Sequence, residues 1–210
     1  MLAVFDGRER IKGVLELLSK SLPYDQIEHM SNVGILMHQF MGKICSEQLG
    51  ESCSEHCGLF RCAAFYHDIG KLRIPSEILT KPGALTEREF KIIRGHTLYA
   101  LELFQRVQIQ VFSGKPCYLL SLCRDAAVYH HEYWNGKGYP FGIKEREIPL
   151  IARATAICDA YDAMTSDRSY RSAHSHTYAC GELEKNAGTQ FDPELTKIFL
   201  KFEAAFGGKC

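Results

Sequence analysis

The sequence predicts an all-α fold, and three observations carry that reading. Apolar residues recur at three- and four-residue steps through most long segments, the period of a helix face. Prolines, capping residues and closing glycines bracket those segments as helix starts and stops. Alternating polar and apolar runs, the mark of a strand, are nearly absent.

The first periodic stretch follows Pro23. In YDQIEHMSNVGILMHQFMGKIC the positions Ile27, Met30, Val33, Met37, Phe40, Met41 and Ile44 fall at helical steps. GLFRCAAFYHD predicts a short apolar helix that stops at Gly70. LTEREFKIIRGH opens with Thr86 and Glu89 at the spacing of a capping box, and Gly95 before His96 marks a helix junction. CYLLSLCRDAAVYHH predicts a mostly buried helix ending at a histidine pair. PLIARATAICDAYDAMTS begins after a proline and is rich in alanine, which permits close helix contacts. HTYACGELEKNAG is closed by a glycine, and DPELTKIFLKFEAAFGG has Asp192 as N-cap with Pro193 at the first helical position. Neither repeat nor linker divides these segments, so residues 1–210 are expected to form one domain.

Bulk composition narrows the classes of function. Lys+Arg and Asp+Glu are both 25, so the chain lacks the basic excess on which binding to a nucleic-acid polymer rests. No apolar run approaches the roughly 18 residues of a membrane helix. The opening MLAVFDGRERIKG lacks the order of a signal peptide, so a cytoplasmic protein is expected. The nine cysteines then read as small buried hydrophobes in a reducing compartment. Cys53, His56, Cys57 and Cys62 form a loose group, but their spacing is not the tight pairing of structural zinc sites.

The histidines carry the functional signal. His67 and Asp68 sit side by side at one helix end, and His130 and His131 at another. His29 lies mid-helix with Asp25 four residues before it, on the same face. Asp159 lies on the alanine-rich helix with Asp162 three residues on, and His96 follows Gly95. Any one of these has an ordinary explanation as a hydrogen-bonded boundary residue, and His38, His56, His174 and His176 are left there. Two adjacent pairs, each closing an apolar helix, are harder to explain by packing. Imidazole and carboxylate donors together suit divalent iron, manganese, zinc or nickel. This many donors is what two or three neighbouring ions require.

At this point the residues reach a resemblance. YHDIGKLRIP resembles the signature of the HD superfamily of metal-dependent phosphohydrolases. HHEYWNGKGYP resembles the extended motif of its HD-GYP subfamily, and so do ILTKPGALTEREFKIIRGHTLYALELF, IPLIARATAICDAYDAMTSDRSYR and GTQFDPEL. The likeness covers about residues 25–200 in matching order and spacing. It implies an all-α HD-domain helical bundle with a glycine-rich GYP loop. It implies metal ligands at His29, His67, Asp68, His96, His130, His131 and Asp159. Asp25 stands where some members carry a glutamate for a third metal, and its shorter side chain leaves two ions or three open. The expected ions are iron or manganese, with zinc or nickel compatible with the same donors. Asn135 in WNG, Met164 in YDAM and Ser169 in SDRSYR depart mildly from the subfamily pattern and leave the ligands untouched.

The implied activity is metal-dependent hydrolysis of the cyclic dinucleotide cyclic di-GMP to linear pGpG and GMP. Two ions would activate a bridging water and neutralise phosphate charge, with Asp68 spanning them. Lys71 would reach a phosphate oxygen as a point charge. Gly136 and Gly138 would let the loop turn tightly, and Tyr139 and Pro140 would wall the ligand pocket. Arg168 and Arg171 would clasp the second phosphate through their forked donors. Alternatives are a hydrolase for another cyclic dinucleotide, nucleotide or phosphorylated metabolite, a non-catalytic dinucleotide sensor, and a module that binds protein partners through the GYP loop.

Overall fold

The computed structural model of the chain describes residues 2–48, 54–167 and 172–206, with side chains over 9–46, 55–167 and 172–202. The described helices are α1 (Leu2–Ser19), α2 (Tyr24–Gln48), α3 (Ser54–Phe65), α4 (Ser76–Leu79), α5 (Glu87–Arg94), α6 (His96–Phe112), α7 (Tyr118–Tyr129), α8 (Leu150–Thr165), α9 (His176–Lys185) and α10 (Pro193–Phe206). Tighter 3-10 turns lie at Ile69–Arg73 and Glu145–Glu147. No strand occurs among the described residues, and an isolated bridge joins Ala187 to Phe191. The all-α expectation holds.

The expected start signals act as read. The Pro23 carbonyl accepts from Gln26 (3.1 Å) and Ile27 (3.2 Å) and so opens α2. At α5, Thr86 Oγ1 accepts from Glu89 N (3.2 Å) while Glu89 Oε2 accepts from Thr86 N (2.8 Å), a complete capping box. Asp192 Oδ1 accepts from Glu194 N (2.9 Å) and Leu195 N (3.2 Å) at the head of α10.

The stripe predicted on α2 is the one that packs. Met30, Val33, Met37, Phe40, Met41 and Ile44 are all buried, against α3, α8 and α10. The small residues of α7 and α8 (Ala126, Ala127, Ala152, Ala154, Ala156) are buried too, which lets these two helices lie close together. Phe40 meets Phe199 edge to face with centroids 5.1 Å apart, and Phe199 meets Tyr161 at 5.3 Å, tying α10 to α2 and α8. Each such ring contributes roughly 2–3 kcal/mol through burial. No helix among the described residues is long and apolar enough to cross a membrane.

Two differences from the sequence expectation bear on the site. The helix expected to run to Gly70 ends at Phe65, and the chain tightens into the turn at Ile69–Arg73. The cause is the close approach of that turn to α6: a Cβ on Gly70 would lie 1.9 Å from the His96 carbonyl oxygen. The loose cysteine group forms no metal cluster among the described residues, and Cys53 lies outside them. Cys57 packs into the hydrophobic core with Cys62 against it.

Gly70→Ala is therefore expected to lower unfolding free energy by about 2 kcal/mol or more in urea titrations, because rigid backbone must move. Gly13→Ala, in α1 with open space around it, is expected to raise stability by up to about 1 kcal/mol in the same assay.

Candidate metal centre

Three of the histidines sit where a helix gives out. A carbonyl in a last helical turn has a lone pair to spare, and an imidazole one turn later can use it. His67 Nδ1 donates to Ala64 O (2.8 Å), His96 Nδ1 to Ile93 O (2.7 Å) and His130 Nδ1 to Ala126 O (2.9 Å). A carbonyl only accepts, so each Nδ1 carries the hydrogen and each Nε2 presents a bare lone pair. His29 is fixed in the same sense by a carboxylate: its Nδ1 lies 2.6 Å from Asp162 Oδ2. Ser166 Oγ donates to the other oxygen of Asp162 (2.9 Å) and holds it in place.

These lone pairs converge. His67 Nε2 is buried without a hydrogen-bond partner, and His96 Nε2 faces His130 Nε2 across 3.4 Å. An unpaired buried polar atom costs about 1–3 kcal/mol, and two facing lone pairs repel; a cation between them removes both problems. Asp68, also buried, divides its oxygens. Oδ2 lies 3.4 Å from His67 Nε2 and 3.9 Å from His29 Nε2. Oδ1 lies 3.4 Å from His96 Nε2 and 3.9 Å from His130 Nε2. Asp159 Oδ1 stands 3.0 Å from His29 Nε2 and 3.7 Å from His67 Nε2. Three donor groups close enough to hold an ion result: His96–His130–His131, His29–His67–Asp68 and His67–His130–Asp159.

Protonation suits the same task. Burial first, then the neighbouring histidines, hold His130 well below its ordinary value. Burial and His96 push His131 down to about 3, so it is neutral at pH 7. Burial alone would raise Asp68, but the Lys71 ammonium and then His67 and His96 outweigh it and keep the carboxylate ionised. Asp159 behaves alike, with His29 and His67 overcoming burial. Burial would lower His29, yet hydrogen bonds to Asp159 and Asp162 push it up to about 9. Neutral His96, His130 and His131 beside ionised Asp68 and Asp159 form the donor set of a hard-to-borderline divalent ion, and His29 would release its proton to join them, so the residues fit the metals implied by the motif.

The remaining expected residues are distributed around this centre. Lys71 Nζ donates to Asp68 Oδ2 (2.6 Å) and to Gln26 Oε1 (2.9 Å). Tyr139 stacks on His131 with centroids 4.7 Å apart and planes 25° apart, and Pro140 follows through a cis peptide bond. Asp25 is exposed in the first turn of α2, one turn before His29 and outside the three donor groups. Arg168 and Arg171 lie outside the described residues.

Three participants were not assigned from sequence. Asp162 was visible three residues after Asp159, and that spacing was its signal. Gln26 carried none. Glu132, directly after the histidine pair, is buried and accepts from Phe141 N (2.7 Å) and Gly142 N (3.0 Å), which folds the loop back over the site. The loop is stitched further by Tyr139 N to His131 O, Trp134 N to Gln190 O and Asn135 N to Thr189 O, each 3.0 Å. Gly138 is required there: a Cβ would meet Tyr133 N at 2.2 Å.

Because Asp162 orients His29 without reaching the donor groups itself, Asp162→Asn is expected to weaken manganese binding about 10- to 100-fold with helical content unchanged. A metal titration followed by circular dichroism checks this.

Comparison with known proteins agrees with this geometry. The family pattern described as HD domain matches residues 24–195. A cyclic di-GMP phosphodiesterase of Thermotoga maritima is 39% identical over 193 residues, covering 90% of this chain and 49% of that protein. A 3'3'-cGAMP-specific phosphodiesterase of Vibrio cholerae is 34% identical over 143 residues, covering 68% of this chain and 26% of that protein. The chain thus spans half or less of the length of these relatives. Among solved structures, an HDG"Y"P protein from Bdellovibrio bacteriovorus superimposes with a TM-score of 0.60 at 16% identity, over 85% of this chain and 52% of that one, a likeness of fold. With a motif-bearing metal centre, a matching helical fold and a family pattern over most of its length, the chain belongs to the HD-domain family.

Proposed function

We propose that this chain is a metal-dependent phosphodiesterase that opens cyclic di-GMP to linear pGpG and carries some product on to GMP. The observation that carries the reading is the division of Asp68, whose two oxygens face two different sets of imidazoles. That arrangement suits a carboxylate bridging a pair of divalent ions, with iron or manganese as the ions and zinc or nickel as alternatives. Asp25, one turn before His29, is the candidate donor for a third. The names of the relatives support the substrate class, since both act on cyclic dinucleotides.

The chemistry that bound ions supply is deprotonation of a water at neutral pH and neutralisation of phosphate charge. The chain's residues do the rest. His29, His67 and Asp68 would serve one half of the centre and His96, His130 and His131 the other, with Asp159 beside His67 and His130, and the Nδ1 tethers of His29, His67, His96 and His130 keep those rings from turning away. Lys71, already against Asp68, is within reach of a phosphate oxygen seated there. Tyr139 and Pro140 wall the pocket beside His131, and Arg168 and Arg171 are the proposed clasp for the second phosphate. Water adds across one P–O3′ bond, which leaves a 5′-phosphate on the linear product. The proposed compartment is the reducing cytoplasm.

A second reading is favoured by one observation: the Vibrio relative is named for 3'3'-cGAMP, whose ring and two phosphates match those of cyclic di-GMP. The direct test supplies manganese or iron(II) without oxygen and compares the two cyclic dinucleotides. Cyclic di-GMP is expected to give pGpG at the higher kcat/KM, and the reverse preference would assign the substrate to the second reading. His67→Ala combined with Asp68→Ala is expected to take turnover to background with helical content retained. Binding without product in the metal-loaded wild type would make the chain a sensor.

A further inference from the structure

Arg94 stands beside the candidate metal centre and is held by aromatic rings. Arg73, Arg124 and Arg153 are each paired with a carboxylate, of Glu102, Asp125 and Asp192. Arg94 has no acid partner among the described residues, and its contacts are aromatic. Its Cζ lies 4.2 Å from the centroid of Tyr139 and 6.0 Å from that of Phe90. Tyr139 in turn stacks on His131, a donor of the metal centre. Arg94 ends α5 two residues before His96, and its main-chain carbonyl accepts from Thr97 Oγ1 (3.2 Å). Its backbone is therefore anchored to the element that supplies a ligand.

This geometry leaves the charge available. A guanidinium lying over a ring uses its face, while its N–H donors all lie in its plane and stay open to an acceptor. The side chain is exposed, so those donors meet solvent at the rim of the centre. The aromatic hold lowers the entropy lost when the fork engages a planar pair of oxygens. A free fork, pre-positioned one ring away from a metal ligand, is complementary to a phosphate.

We propose that Arg94 is a substrate-binding residue that takes the phosphate not being cut, with Tyr139 as its platform. The assignment rests on the reading that the ligand is a cyclic dinucleotide, which carries two phosphates of which the centre beside Lys71 accommodates one.

The test uses the manganese-loaded full chain, with R94M keeping most of the apolar stem without charge and R94K keeping charge without the fork. Affinity is read with a slowly cut bis-phosphorothioate analogue of cyclic di-GMP, and KM and kcat with cyclic di-GMP itself. R94M is expected to bind the analogue about 10-fold or more weakly, with KM rising in parallel and kcat far less affected. R94K should recover part of the loss, and manganese content should equal the wild type in both. Unchanged affinity in R94M, equal losses in R94M and R94K, or a loss of manganese in step with affinity would each overturn the proposal, the last two by showing that Arg94 only props Tyr139 and His131. Wild type that binds the analogue but cuts nothing would end the phosphodiesterase reading while leaving Arg94 to be judged on affinity. Wild type that neither binds nor cuts would overturn both.

Discussion

Much of this molecule follows from where four imidazole hydrogens go. His67, His96 and His130 spend Nδ1 on carbonyls of the helix that precedes each, and His29 spends it on Asp162. Once those bonds form, His67, His96 and His130 cannot satisfy Nε2 by rotating, and their lone pairs are committed to one buried volume, while His29 Nε2 meets Asp159 Oδ1 at 3.0 Å. The fold then carries a local conflict, polar atoms facing each other without donors, that packing alone does not resolve. Such conflicts persist where a ligand settles them, and these donors fit a cation.

The helices are arranged to sustain that conflict. α2, the link between α3 and the turn at Ile69–Arg73, α6, the residues closing α7, and α8 each bring one or two candidate donors, and the apolar faces behind them form a continuous core. Alanines on α7 and α8 let two donor-bearing helices approach closely, and Gly70 lets the turn after Asp68 touch the backbone at His96. Packing distance, set by missing side-chain atoms, thus fixes the separation of the two imidazole sets around Asp68. Charge follows from the same burial. Low-dielectric surroundings keep His130 and His131 neutral, while Lys71 and the histidines keep Asp68 ionised.

The helices and most of the converging His and Asp side chains were legible in the sequence because both write strong local signals. A periodic apolar stripe such as that of α2, or a capping box such as Thr86 with Glu89, needs no tertiary information. The adjacent pairs His67–Asp68 and His130–His131 were visible as polar ends to apolar helices. The end of α3 was misjudged because the reason for it, the approach of Gly70 to α6, is a contact between segments remote in sequence. Asp162, Glu132 and Gln26 act through partners in other parts of the chain: Asp162 on His29, Glu132 on the amides of residues 141 and 142, Gln26 on Lys71. Pairings across such distances leave no periodic mark.

The loop that carries Tyr139 and Pro140 is fastened at two places far apart in sequence, by Glu132 at its base and by the backbone at residues 189 and 190 near the head of α10. Arg153 reaches from α8 to Asp192 and to the Ile148 carbonyl, bracing that second anchorage. The segment carrying GTQFDPEL is therefore a buttress for the ligand wall even though it supplies no donor to the ions. Loosening at the C-terminal end of the bundle would reach the loop beside His131 through two backbone hydrogen bonds, giving residues 189 and 190 mechanical leverage over the setting of Tyr139.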